Sequence, residues 1–153
     1  MSTTRPTTND GEFTGPYVSR LLVLVDHAGG IRFPVDTEAE VSILPPSATA
    51  RKNRQEYSLH AANNSAIVTF GESLLQLDLG LRHSFPWVFT IADTRYSILG
   101  VDFLFHFNLF VDVKHRRLLD ASTQLTQHLR SQWVQPFTSL SMPTNNQWPS
   151  LKH

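Results

Sequence analysis

The sequence predicts an all-β, barrel-like domain with a single short helix, on three observations. Apolar runs of strand length recur at short, even intervals between Tyr17 and Asp120. Glycine, proline and asparagine punctuate them at turn-like spacings. Only one stretch, Val101–Phe107, sets its large apolar residues at helical rather than alternating spacing. Many short strands with turns between them describe a β-barrel or sandwich, not a helical bundle.

The elements follow in order. Leu21-Leu22-Val23-Leu24-Val25 and Ile31-Arg32-Phe33-Pro34-Val35 flank His27-Ala28-Gly29-Gly30, two apolar runs around a Gly-Gly turn, hence a β-hairpin. Val41-Ser42-Ile43-Leu44 is a short strand stopped by Pro45-Pro46, since proline removes a ladder donor. Ser47 to Glu56 is polar and basic, a loop or one helical turn. A second hairpin joins Tyr57–Ala62 to Ala66–Phe70 across Asn63-Asn64-Ser65, where asparagine tolerates positive φ. Leu75-Gln76-Leu77-Asp78-Leu79 alternates as a half-buried strand does. After the turn Gly80–His83 comes the aromatic strand Phe85–Ala92, then Ser97-Ile98-Leu99-Gly100, a short buried strand ending on glycine. The helix Val101–Phe107 puts Phe103, Leu104 and Phe107 on one side. Leu109–Val113 and Arg117–Asp120 form a closing hairpin over Lys114-His115-Arg116.

The domain so read spans residues 17–120. Residues 1–16, rich in threonine, proline, glycine and asparagine, read as a disordered leader. Residues 121–153 read as a linker or tail, with a weak helix over 122–130. Trp133, Phe137 and Trp148 in that tail fit either a docking peptide or a polyprotein remnant.

Composition bounds the function. A chain of 153 residues holds one domain, and 41% apolar residues are enough for a packed core. Charged residues reach only 17%, against about 25% in an average soluble domain, which points to a face covered by a partner. Thirteen basic and thirteen acidic residues cancel, which argues against a nucleic-acid module. With no cysteine there is no disulfide framework, thiolate nucleophile or cysteine-ligated zinc. Seven histidines include no His-x-x-x-His pair, so no metal site and no cofactor are expected. No apolar run approaches the ~18 residues of a membrane span. Ser2–Asp10 lacks the apolar centre of a signal peptide, and the expectation is a cytoplasmic protein without a membrane partner.

The chemistry concentrates at Asp36-Thr37-Glu38, a carboxylate and a hydroxyl at a strand-to-loop junction between apolar strands. Asp93-Thr94 repeats the pair but runs into Arg95-Tyr96, and reads as a loop. Asp102, behind Gly100-Val101, reads as a cap for the short helix. The cluster Lys114–Arg117 reads as the end of a hairpin.

Three blocks resemble a known family, the retropepsin-like aspartic proteases, and most of all the protease segment of Gypsy-class LTR retrotransposon polyproteins. Phe33-Pro34-Val35-Asp36-Thr37-Glu38-Ala39 follows the family's apolar-apolar-Asp-Thr-Gly-Ala motif except at Glu38. Leu59–Gly71 stands where the family has its flap hairpin. Ser97-Ile98-Leu99-Gly100-Val101-Asp102-Phe103-Leu104 is similar to the Ile-Leu-Gly-x-Asp-Phe-Leu block. Order and spacing match as well.

The resemblance implies a closed β-barrel of the acid-protease type with one short C-terminal helix, forming half of a two-fold homodimer. It implies an aspartic endopeptidase in which Asp36 and its copy in the partner share one proton and activate water. Like charges about 3 Å apart cannot both ionise, so one pKa rises. Thr37 would hydrogen-bond across the two-fold axis. Ala62, Asn63 and Asn64 would close over the peptide, and Ala39, Ile98, Leu99 and Gly100 would line or support the cleft. Glu40 would touch the substrate backbone or stand as a solvated loop charge. The implied substrate is the retroelement's own polyprotein.

Glu38 departs from the motif's glycine. Turned inward, it brings a third carboxylate to the dyad; turned outward, it costs about 1–3 kcal/mol of strain if the site demands positive φ. The alternative reading is a catalytically impaired remnant that dimerises or binds peptide without cutting it.

Overall fold

The architecture was obtained as a computed structural model that describes residues 19–134. The leader expected over 1–16, and Phe137 and Trp148 of the tail, lie outside the described residues. Among the described residues ten strands and one α-helix, with a single 3-10 turn at Ala50–Lys52, follow in order: β1 (Ser19–Val25), β2 (Arg32–Pro34), β3 (Ile43–Leu44), β4 (Ser58–His60), β5 (Ala66–Asp78), β6 (Ser84–Ala92), α1 (Val101–His106), β7 (Leu109–Asp112), β8 (Arg117–Asp120), β9 (Thr126–His128) and β10 (Arg130–Val134). They form three sheets, ordered β10-β1-β2, β3-β6-β5-β4 and β7-β8-β9.

The hairpins expected from the sequence are present. β1 and β2 pair antiparallel, and Asp26 staples the turn between them. This carboxylate is buried at 3% exposure and accepts hydrogen bonds from the backbone N–H groups of Ala28, Gly29 and Asp78 at 3.1, 2.9 and 2.8 Å. Tying it to Asp78 fixes the first sheet on the second. A buried carboxylate without such donors would cost several kcal/mol.

β5 joins two stretches that the sequence separates. Its register with β6 slips between Thr69 and Glu72, where the β5 side carries one extra residue. Gly71 sits in this bulge at φ +109°, a conformation closed to residues with a Cβ. The bulge divides the strand into an outer half paired with β4 and an inner half paired with β6.

The larger of two buried clusters fills the space between the sheets. Phe33, Phe85, Phe89 and Phe103 are wholly buried, with Leu24, Leu77, Leu79, Leu81, Leu99 and Leu118 around them. Each such side chain stabilises the fold by about 1.5–3 kcal/mol. Phe103 and Leu104 are the buried face of α1, and Phe107 packs against the same core from the helix end.

The expectation for 122–130 is corrected. The segment is not helical: Thr126–His128 pairs with β8, and Arg130–Val134 pairs with β1 from Ser19↔Val134 to Val23↔Arg130. The folded unit therefore continues past residue 120, and Trp133 belongs to a strand. Leu129, fully buried between two polar strands, anchors this return to the core.

Asp120 closes the third sheet. Burial pushes its carboxyl up, but the His83 ring at 3.1 Å and hydrogen bonds from Ser122 and Thr123 outweigh burial and hold it below the usual carboxylate range. Half-buried Asp112 is drawn down too, chiefly by His115 at 2.9 Å.

Candidate active site

Asp36 follows β2 across one residue. Val35 bridges Leu99 in parallel, and the next three residues turn back on themselves. The Ala39 N–H donates to the Asp36 carbonyl at 3.1 Å, and the Glu38 N–H donates to the Asp36 Oδ1 at 2.9 Å. Asp36 is half-buried, Thr37, Glu38 and Glu40 are exposed, and Ala39 is fully buried. The turn thus presents a carboxylate at the surface while its alanine anchors the loop inside.

Glu38 is exposed and is not among the non-glycine residues with positive φ. The strain considered for an outward Glu38 does not arise. Its backbone N–H donates to Asp36, and glutamate supplies that donor as glycine would.

Ile98-Leu99-Gly100 threads between the two legs of the Asp36 loop. On one side the Leu99 N–H donates to the Pro34 carbonyl at 3.0 Å, and the Asp36 N–H donates to the Leu99 carbonyl at 3.0 Å. On the other side Ile98 and Ile43 exchange two backbone bonds of 2.9 and 3.0 Å. Below them the Val101 N–H donates to the Ala39 carbonyl at 2.8 Å. Gly100 is required by space: a Cβ there would stand 2.7 Å from the Ala39 carbonyl oxygen and 3.0 Å from the Val41 backbone.

Asp102 departs from its expected role. Gly100 occupies the cap position of α1, without a side-chain cap, and Asp102 lies inside the first turn. Its carboxylate reaches across 60 positions of sequence to Ser42, taking the Ser42 N–H on Oδ2 at 3.0 Å and the Ser42 hydroxyl on Oδ1 at 2.7 Å. The same Oδ1 accepts from the Phe103 N–H at 2.8 Å. Ser42, wholly buried, also accepts from the Gly100 N–H at 2.8 Å. Sequence reading missed Ser42; the signal it carried was a hydroxyl in the apolar run Val41–Leu44.

The candidate flap is the hairpin of β4 and β5. Asn64 turns its tip at φ 72°, and the Asn63 carboxamide oxygen accepts from the Ser65 N–H and hydroxyl at 3.0 and 2.7 Å. Ala62, Asn63 and Asn64 are all exposed. At the base of the hairpin, Leu59 and Ile67 face each other and pack on the buried cluster Ala39, Ile43, Ala92 and Ile98. The hairpin and the Asp36 loop therefore rest on one apolar cluster. The structure brings Asp36, Ala39, Ile98, Leu99 and Gly100 together through backbone bonds. Thr37 and Glu40 lie on the exposed side of the same loop, and Ala62–Asn64 project from a separate hairpin.

Asp93 and Thr94 lie in the loop after β6, where Asp93 pairs with Arg51 at 3.2 Å. Among the described residues no group of three His, Cys, Asp or Glu side chains is placed to hold a metal ion.

The chain matches no family model and no curated protein. Among solved structures it is similar to the retroviral protease-like domain of Ddi1 from Leishmania major, with a TM-score of 0.53 and 16% identity over 72% of this chain and 94% of that one. It is also similar to the EIAV protease complexed with the inhibitor HBY-793, with a TM-score of 0.44 and 20% identity over 71% of this chain and all of that one (100%). The chain has a retropepsin-like fold, mostly β with one small helix. Among the described residues no helix is long and apolar enough to cross a membrane.

Proposed function

We propose that this chain is an aspartic endopeptidase that works as a homodimer. The observation that carries the reading is the placement of Asp36. Its carboxylate is half-buried on a tight turn, cross-threaded by Ile98-Leu99-Gly100, within a retropepsin-like fold. One chain supplies one such carboxylate, so the dyad needs a second copy. One Asp36 accepts a proton from water, and the other donates one to the scissile carbonyl oxygen. Thr37, exposed beside Asp36, bonds across the two-fold axis. The flaps add main-chain hydrogen bonds to an extended peptide in the manner of an added strand, and exclude water when they close. Ala39, Ile98, Leu99 and Gly100 form the cleft floor, and Glu40 lies within reach of the peptide backbone. The natural substrate is the polyprotein of a retroelement, cut in the cytoplasm.

Glu38 does not count against this reading on conformational grounds, because it lies outside the positive-φ region and its N–H serves Asp36. The test is cleavage of an unfolded protein across pH. Activity peaks at acidic pH and is lost in Asp36→Asn. Equal turnover in that variant would show that Asp36 is not the catalytic group.

A further inference from the structure

The grip between Ser42 and Asp102 has a geometry beyond holding the helix in place. The Leu99 carbonyl and the Gly100 N–H are the two ends of one peptide unit. Its oxygen accepts from the Asp36 N–H at 3.0 Å, and its N–H donates to the Ser42 Oγ at 2.8 Å. The Ser42 hydroxyl donates in turn to the Asp102 Oδ1 at 2.7 Å. Every bond in this series points the same way. A carboxylate at one end polarises the hydroxyl, the hydroxyl oxygen becomes a better acceptor for the peptide, and the peptide oxygen becomes a better acceptor for Asp36. Ser42, Leu99 and Gly100 are buried, so water does not compete along the middle of the series.

We infer that Asp102 and Ser42 are positioning residues, joined through the Leu99–Gly100 peptide in a hydrogen-bond relay that ends on the backbone N–H of Asp36 and fixes where that residue stands. The functional part rests on the proposed use of Asp36 as the dyad carboxylate; the relay itself does not. The two residues touch neither substrate nor reacting atoms. They act by setting the height of the Asp36 loop against the threading segment, where small misplacements lower turnover more than binding.

The test is site-resolved amide exchange of the full chain, with peptidase kinetics on the same samples. Ser42→Ala cuts the relay in the middle. Asp102→Asn keeps its shape, removes the terminal charge and turns an amide N–H₂ or a weakened oxygen toward the Ser42 N–H. In both variants the Asp36 amide exchanges about tenfold faster relative to the Leu24 amide of β1, the effect of losing roughly one hydrogen bond. kcat falls while KM holds. Leu118→Val, a core change in the third sheet, leaves the Asp36-to-Leu24 ratio unchanged and separates general loosening from the relay. Where Ser42→Ala does not fold, Asp102→Asn decides alone. An Asp36 amide that speeds up no more than that of Leu24 overturns the relay. A parent chain that cuts nothing overturns the protease reading instead, and the exchange ratio still decides the relay.

Discussion

At the scale of single residues, Glu38 and Gly100 illustrate how differently a motif position can be constrained. Glu38 stands where the resembling proteases keep glycine, yet it is exposed and its backbone is not in the left-handed region. Glu38→Gly should therefore change the unfolding free energy of the monomer by roughly 1 kcal/mol or less. Any gain in activity from that variant should be matched by Glu38→Gln, because charge near the proposed dyad rather than strain is what both remove. Urea unfolding and cleavage rates of the two variants side by side measure this; a gain confined to glycine would show that the backbone at this position is strained. Gly100 is the opposite case. The atoms that a Cβ would meet are the backbone of Ala39 and Val41, which cannot rotate away. Gly100→Ala should destabilise the chain by about 1–3 kcal/mol and displace the loop that holds Asp36. A melting temperature equal to the parent's would show that this crossing has slack.

At the scale of elements, much was legible because the signals are local. Gly29-Gly30 and Asn63-Asn64 mark two hairpin turns, and Phe103, Leu104 and Phe107 mark the buried side of the one helix. What the sequence withheld depends on partners far along the chain. β9 and β10 are short and largely polar, and they become strands because β8 and β1 present unpaired edges to them. Leu129 is the single wholly buried side chain among residues 121–132. The Ser42–Asp102 grip spans 60 positions and leaves no spacing pattern to read. The site divides the same way: Asp36, Gly100 and the candidate flap hairpin stand out as motif letters, whereas the threading that joins them is tertiary. The closing sheet also carries a pH dependence. Asp120 is held below the usual carboxylate range in the folded chain, against about 3.9 when unfolded. A depressed carboxyl contributes stability that is complete above its unfolded pKa and is lost as pH falls through its folded one. Asp120→Asn should be less stable than the parent near neutral pH, with the gap narrowing as pH drops below about 4. Urea midpoints at the two pH values check this, and a gap that widens in acid would contradict it.

At the scale of the whole molecule, the Asp36 loop and the candidate flap hairpin pack on one buried cluster. The Asp36 loop, the threading segment and the base of the candidate flap hairpin all rest on Ala39, Ile43, Ala92 and Ile98. This gives the proposed function a physical form: one half of a cleft, built on a buried floor, with one half-buried carboxylate, Asp36, at the turn. A half-site is incomplete by construction, and the low content of charged residues, 17%, agrees with a surface that meets a second copy. The central claim is therefore that two chains contribute one Asp36 each to a single reaction centre. Subunit mixing tests it most directly: parent and Asp36→Asn chains are unfolded together, refolded in equal amounts, and assayed at acidic pH with total protein constant. If mixed dimers are inactive, activity falls to roughly a quarter of the parent's, the fraction of pairs in which both carboxylates are present. Activity near one half would mean that each chain cuts on its own, and would contradict the shared dyad.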